Sequence, residues 1–245
     1  MTSIMRRMLL TAALSGLLGL TATAQTPPPG PPAPGALPAG SVVPVGNAVV
    51  SYVEILPAEA RQGLVILKKL KQDSLKDEGL VSLVVLRRTS HANHFLLLEE
   101  WKDNAAREAH IAKPHVTAAR AALKTIESAP YDERPHRPLA AGAAGPPAKN
   151  ALYAVTHVDY VPVYREEGET ALKAFASASR GAQGNSRFDV LTQASRPNHM
   201  TIVSTWSGSA ALTRHVAAAT TRDYRQNLLP RSGSIYDERL YRAVD

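Results

Sequence analysis

The stretch Asn93-His94-Phe95-Leu96-Leu97-Leu98-Glu99-Glu100-Trp101 is followed nine residues on by His110. It returns 105 positions later as Asn198-His199-Met200-Thr201-Ile202-Val203-Ser204-Thr205-Trp206, followed by His215. No gap is needed between the copies. The same offset carries Tyr131-Asp132-Glu133-Arg134 onto Tyr236-Asp237-Glu238-Arg239, and Pro57, Gly79 and Arg120 onto Pro162, Gly184 and Arg225. About 25 of roughly 90 aligned positions are identical, so the chain carries a duplicated unit. Two copies near 100 residues have the size of compact domains, whereas a solenoid stacks shorter repeats and needs at least three.

Within the first copy, residues 49–56 are apolar and β-branched enough for a strand, closed by Pro57. A helix is expected over 58–77 from Leu64, Leu67 and Leu70 at helical spacing, stopped by Gly79. Strands at 81–88 and 94–101 follow. Asp103 can cap a helix to about 112 that restarts after Pro114 and reaches about 126, and 131–138 reads as a closing strand. The second copy repeats the order, with a strand at 152–161, a helix at 164–180 and strands at 187–193 and 199–206. A helical region at 209–229 and a closing strand at 234–242 complete it. The order β-α-β-β-α-β makes each copy a ferredoxin-like α+β unit.

Alternation along the third strand extends this reading. Phe95, Leu97 and Trp101 share one face, and Leu96 and Leu98 share the other with His94 and Glu100. Both faces are apolar, and the two helices of a copy cover only one. The sheet of the other copy is the natural cover for the second. The expectation is therefore two sheets packed face to face as a pseudo-dimeric α/β barrel with a cavity between them. Whether the copies pair within one chain or between two chains of a homodimer is open at this level.

The flanking segments divide the chain further. Residues 1–24 read as a cleavable signal peptide: Arg6-Arg7, an apolar run from Met8 to Leu20, and Ala22-Thr23-Ala24 before Gln25. The expected location is secreted or periplasmic, with no stable membrane span after processing, the run being too short and wrongly flanked for one. Residues 25–47 form a Pro/Gly-rich tether, 48–138 the first domain, 139–150 an Ala/Gly/Pro linker and 151–245 the second domain.

Composition excludes several functions. Loss of Arg6 and Arg7 takes the formal charge from +7 to +5, and the remaining charges are mixed in sign without a basic stripe, so no nucleic-acid partner is expected. The absence of cysteine removes disulfides, thiolate metal sites, iron–sulfur clusters and cysteine nucleophiles. No Gly-rich strand-to-helix turn or HExxH motif is present. His91-x2-His94 and His110-x4-His115 have no carboxylate at an obvious ligand spacing, so neither a metal nor any other cofactor is expected.

Each copy resembles an antibiotic biosynthesis monooxygenase (ABM) domain of the dimeric α/β-barrel superfamily. The residues that carry the likeness are Tyr52-Val53-Glu54-Ile55, Gly79, Asn93-His94-Phe95, Glu99-Glu100-Trp101, Ala105-Ala106, His110 and Pro114-His115. The resemblance implies an oxygenase that works without metal or flavin on a small aromatic or quinol-like ligand, a quinol or polyphenol, with dioxygen, and the signal segment adds the expectation that it is exported. The alternative is a non-catalytic ligand-binding or scaffolding module on the same fold.

Under that resemblance His110 and His115 are the candidate catalytic bases, since imidazole titrates near working pH. Trp101, Arg120, Tyr52 and Asn93 are candidate substrate contacts, and His215, Trp206, Arg225 and His157 are their second-copy equivalents. Competing structural roles stand beside each. His110 can simply pack on the sheet, Trp101 can anchor the core, Arg120 can form a salt bridge, and Asn93 can serve the hairpin before the third strand. The asparagine that some family oxygenases use lies four residues before the motif tryptophan, where Leu97 and Ile202 stand. The haem-degrading branch has a tryptophan near His110 and a histidine near Arg120, and this chain has neither. Tyr-Asp-Glu-Arg is expected to complete the closing strand and to pair charges between the copies. The second copy has lost Glu99-Glu100 and Pro114-His115 and gained Arg187, Asp189 and Thr201, so one site, in the first copy, is the preferred reading.

Overall fold

The computed structural model describes residues 48–142 and 144–244. The expected signal peptide and tether lie outside the described residues. Copy 1 comprises β1 (Ala48–Glu54), α1 (Ala60–Ser74), β2 (Leu80–Arg88), β3 (His94–Trp101), α2 (Asn104–Ile111), α3 (Pro114–Lys124) and β4 (Asp132–Ala140). Copy 2 repeats it as β5 (Leu152–Asp159), α4 (Arg165–Arg180), β6 (Asn185–Gln193), β7 (His199–Trp206), α5 (Ser209–Ala217), α6 (Ala219–Leu228) and β8 (Asp237–Ala243). Among the described residues no helix is long and apolar enough to cross a membrane.

Local chemistry sets the breaks. Gly79 and Gly184 take φ of 82° and 87°, a left-handed conformation that glycine adopts without strain, and each turns the chain from helix into strand. Asp103 accepts a hydrogen bond from the Ala106 amide at 2.8 Å and so caps α2. Pro114 starts α3. In copy 2 the single helical region expected at 209–229 is also broken, at Ala218, without a proline. There the His215 carbonyl accepts from the Ala218 N–H at 3.1 Å and from the Thr221 hydroxyl at 2.6 Å in place of the helical bond lost at the break.

The eight strands close into one barrel in the order β1-β3-β2-β8-β5-β7-β6-β4. Each closing strand pairs with the first strand of its own copy and also with the second strand of the other, β4 with β6 and β8 with β2. The two sheets expected to stack are thus hydrogen-bonded into one continuous wall within a single chain, and no edge is left unpaired. β4 runs to Ala140, two residues past its expected end, because Pro138 and Ala140 align with Leu191 and Val190 of β6.

The face assignment read from β3 holds. Leu96 and Leu98 point into the barrel with Val50, Tyr52, Leu86, Tyr153, Val155, Leu191, Val203 and Tyr241. Phe95 and Leu97 point outward beneath α1 and α3, with Leu67, Leu70, Val116 and Leu123. Side chains, not an open cavity, therefore fill the barrel at these positions. Copy 2 has its own outer core around Phe175, Phe188, Trp206 and Leu212.

Polar groups tie the copies together at the two ends of the barrel. At one end Arg187 bridges Glu100 of β3 and Asp189 of β6. At the other, Tyr52 donates to His157 Nε2 at 2.6 Å. Thr201 bonds His136 Nε2 at 2.9 Å, and His136 Nδ1 donates to the Arg134 carbonyl at 2.7 Å. Arg187, Asp189 and Thr201, which distinguish copy 2 in sequence, thus belong to the joint between the copies.

Candidate active site between sheet and helices of copy 1

Trp101 and Glu99 are two residues apart on β3 and share its helix-facing side. The Trp101 indole N–H donates to Glu99 Oε2 at 2.9 Å. Glu133 of β4 receives Arg107 from α2 and Arg120 from α3, and the Arg120 guanidinium lies 3.5 Å above the Tyr131 ring. The two carboxyls differ sharply. Burial pushes Glu99 up to about 7, with the Trp101 bond offsetting only part of it and the Glu133 charge adding to it. Burial also acts to raise Glu133, but Arg120 and Arg107 outweigh it and hold that carboxyl below its ordinary range.

Asp77, in the turn between α1 and Gly79, reaches beneath α2 and α3. Its Oδ2 lies 2.6 Å from His110 Nδ1 and 3.1 Å from His115 Nε2, and its Oδ1 lies 3.5 Å from Lys113 Nζ. Burial disfavours the charged carboxylate, yet the His110 hydrogen bond and the neighbouring His115, His110 and Lys113 charges win and lower its pKa. Burial lowers the pKa of His110 against the opposing pull of Asp77, so this imidazole is neutral near pH 7. A carboxylate only accepts, so Nδ1 carries the proton toward Asp77 and Nε2 keeps the free lone pair. The His110 ring lies 4.6 Å from that of Trp101. His115 stands at one end of a cavity of about 300 Å³ between α1 and α3, lined also by Ile66, Leu70, Asp73, Ala118 and Ala119.

Copy 2 fills the same space differently. Trp206 donates to Ser204 at 2.9 Å, and His215 stacks on Trp206 at 4.5 Å. Phe175 stacks on Tyr224 at 4.2 Å, nearly parallel, and lies 5.7 Å from His215. Ala182, Leu212 and Thr220 replace Asp77, Arg107 and His115. Burial, helped by Arg225, pushes His215 down to about 4. The aromatic stack stands where copy 1 has Leu70 and Ala119 in the wall of its cavity, and neutral side chains stand where copy 1 holds Asp77, Glu99, Arg107 and His115.

Of the residues expected at the site, the structure brings His110, His115 and Trp101 together. Trp101 is a candidate substrate contact, but its N–H is bonded to Glu99. Arg120 is beside them but sits in its salt bridge with Glu133, as Arg225 does with Glu238 at 3.6 Å. Tyr52 faces the barrel interior, on the opposite side of the sheet from Trp101, and meets its own equivalent, His157. Asn93 serves the hairpin, its amide donating to the Ile55 carbonyl at 2.6 Å, and Asn198 does the same to Tyr160 at 2.9 Å.

Tyr-Asp-Glu-Arg completes the closing strand, but its charges pair within each copy: Asp132 with Arg134, Glu133 with Arg107 and Arg120, Asp237 with Arg239. What its side chains make across to the other copy is contact with uncharged partners: Arg134 donates to His157 Nε2 at 3.3 Å, and Arg239 lies 5.7 Å from the centre of the Tyr52 ring. Sequence spacing overlooked Asp77, Arg107, Glu99 and Glu133. It also missed a carboxylate for the His110/His115 pair, since Asp77 lies 33 residues before His110. The one available signal was that Asp77 and His115 change together to Ala182 and Thr220 in the other copy.

The family model described as antibiotic biosynthesis monooxygenase matches residues 48–122 and 152–227. "Putative monooxygenase YcnE" of Bacillus subtilis (strain 168) is 30% identical over 82 residues, spanning 34% of this chain and 86% of that protein. A Fusobacterium nucleatum subsp. nucleatum ATCC 25586 protein with a similar name superposes with a TM-score of 0.73 at 13% identity, over 83% of this chain and 93% of its own. An anthrone oxidase-like protein superposes at 0.66 and 13% identity, over 82% and 95%. At such identities the likeness is one of fold. Two matches to one family model, covering most of the barrel, settle that this chain is a tandem member of the antibiotic biosynthesis monooxygenase family.

Proposed function

We propose that the protein is an exported, cofactor-independent oxygenase of a quinol or polyphenol, working at a single site in copy 1. One observation carries this reading. The acid–base set Asp77, His110, His115 and Glu99 exists in copy 1 alone, next to an apolar cavity that ends on His115. In the reaction, a substrate hydroxyl gives its proton to a histidine base and keeps the electron pair on oxygen. The resulting phenolate passes one electron to dioxygen, and the radical pair so formed recombines into an oxygenated product. Asp77 holds His110 in the tautomer that can accept a proton, and imidazolium formed there is stabilised by the carboxylate.

The test is oxygen uptake by chelator-treated protein with a panel of hydroquinones. Uptake should exceed autoxidation and should fall about 10²-fold or more in His110→Ala, the usual contribution of a general base. His115→Ala should also lower it. Uptake no faster than autoxidation, or uptake indifferent to both substitutions, ends the oxygenase reading. One observation favours the second reading, a non-catalytic ligand-binding module. His110 is buried and the cavity reaches His115 instead. That reading expects a hydroquinone to bind without consuming dioxygen.

A further inference from the structure

We propose that Asp77, His110 and His115 form a binding site for one divalent transition-metal ion, and that the ion turns the protein-only site off. The ligand atoms are Asp77 Oδ2, His110 Nδ1 and His115 Nε2, which all lie within 4.8 Å of one another. Zinc bonds to imidazole nitrogen and carboxylate oxygen are about 2.0–2.2 Å long, which places two tetrahedral ligand atoms about 3.3 Å apart. The observed Oδ2–Nδ1 and Oδ2–Nε2 distances of 2.6 and 3.1 Å thus need only a small side-chain rotation to admit an ion. Two imidazoles and one carboxylate suit zinc and its first-row neighbours, whereas magnesium and calcium want oxygen ligands alone.

Three further observations support a cation here. His115 Nε2 is buried, and its neighbour Asp77 Oδ2, at 3.1 Å, is not aligned for a hydrogen bond, so a buried polar atom is left unsatisfied and needs a reason. The Trp101 ring packs 4.6 Å from that of His110 and limits the rotation of this imidazole away from Asp77. His115 also lines the cavity between α1 and α3, which gives an ion a route to the site. Among the described residues Lys113 is the side-chain ammonium that competes for Asp77. It contacts Oδ1, not the oxygen used here, and its side chain is nearly half exposed, free to swing into solvent. Copy 2 offers only His215 of the three, so the chain should bind one ion and not two.

The switching effect rests on the base role given to His110. An ion on Nδ1 leaves the ring's proton on Nε2, so the nitrogen that would accept the substrate proton becomes a donor. Metal binding and oxygenase activity are therefore mutually exclusive at this site, and the two can be measured separately.

The experiment titrates Zn2+ into chelator-treated full-length protein by calorimetry and Co2+ by visible absorption. The expected result is one equivalent of Zn2+, with a Co2+ spectrum of mixed nitrogen and oxygen ligation. Affinity should fall at least tenfold in Asp77→Asn and in His115→Gln, both checked for native circular dichroism. His91→Ala should leave it unchanged, since His91 belongs to the surface pair with His94. No binding, or binding lost only in His91→Ala, overturns the site. If hydroquinone-dependent uptake is present, one equivalent of Zn2+ should abolish it and EDTA should restore it. Uptake that survives saturation overturns the switch. A protein that binds the ion but shows no uptake retains the site and loses the oxygenase reading.

Discussion

Glu99 and Glu133 lie on the same face of one sheet and are driven in opposite directions. Glu133 has two guanidinium partners, and Glu99 has one indole N–H and a neighbouring carboxylate. A carboxyl raised from 4.5 to about 7 is protonated in the fold while already ionised in the unfolded chain over that interval. Its contribution is complete below pH 4.5 and is lost as pH rises through 7, by about 3 kcal/mol if the whole shift is realised. Glu99→Gln keeps an acceptor for Trp101 and cannot ionise. Urea denaturation should find the variant gaining on the wild type between pH 5 and 8, and a constant difference across that range would show that Glu99 is not perturbed. Trp101 and His110 were legible as important because they recur at a fixed offset. Asp77 and Glu99 were not, because their partners are set by a helix docking and a strand alternation, and neither residue is repeated in the other copy.

At the scale of elements, the hydrophobic periods and the Pro/Gly breaks located nearly all the strands and helices. The break at Ala218 escaped because no helix-breaking residue marks it. The seating of α1 and α4 depends on glycines that face the sheet. A methyl group at Gly63 would come within 2.8 Å of the Ile55 side chain, and one at Gly168 within 2.6 Å of three atoms of the Tyr160 ring. Alanine improves a helix interior by about 1 kcal/mol, whereas overpacking costs about 1–3 kcal/mol. Both neighbours are buried: the Ile55 atom met is Cγ1, beside a branched Cβ, and the Tyr160 ring is rigid and bonded to Tyr224 at 3.3 Å. Gly63→Ala and Gly168→Ala should therefore both lower the urea midpoint, Gly168→Ala by more. An unchanged midpoint in either variant would mean that its neighbour yields at little cost.

For the whole molecule, the duplication announced a barrel. Its closure by strands exchanged between copies was beyond sequence, since strand order depends on long-range pairing that no local pattern encodes. Burial is the chief cause that lowers six histidines, and it pushes three of them furthest, His136 to about 3 and His157 and His215 to about 4. Two of these lie in the joint between copies. Unfolded histidine takes a proton near 6.5, so the stability these residues confer is present above that pH and is lost as pH falls toward 4 and then 3. Three such groups outweigh the opposite contribution of Glu99. The urea midpoint should fall markedly from pH 7 to pH 4.5, and an unchanged midpoint would contradict neutral histidines at the joint.

The bond from Tyr52 to His157 joins equivalent positions, which places it on the rotation axis that relates the two halves of the barrel. An assembly of two identical subunits would put the same residue on both sides of that axis, and a directed hydrogen bond from donor to acceptor could form there only by breaking the symmetry. One continuous chain carries no such obligation. Tyrosine on one side and histidine on the other give the axis a permanent polarity. The same freedom lets one half keep ionisable groups under its helices while the other half becomes a packed aromatic support.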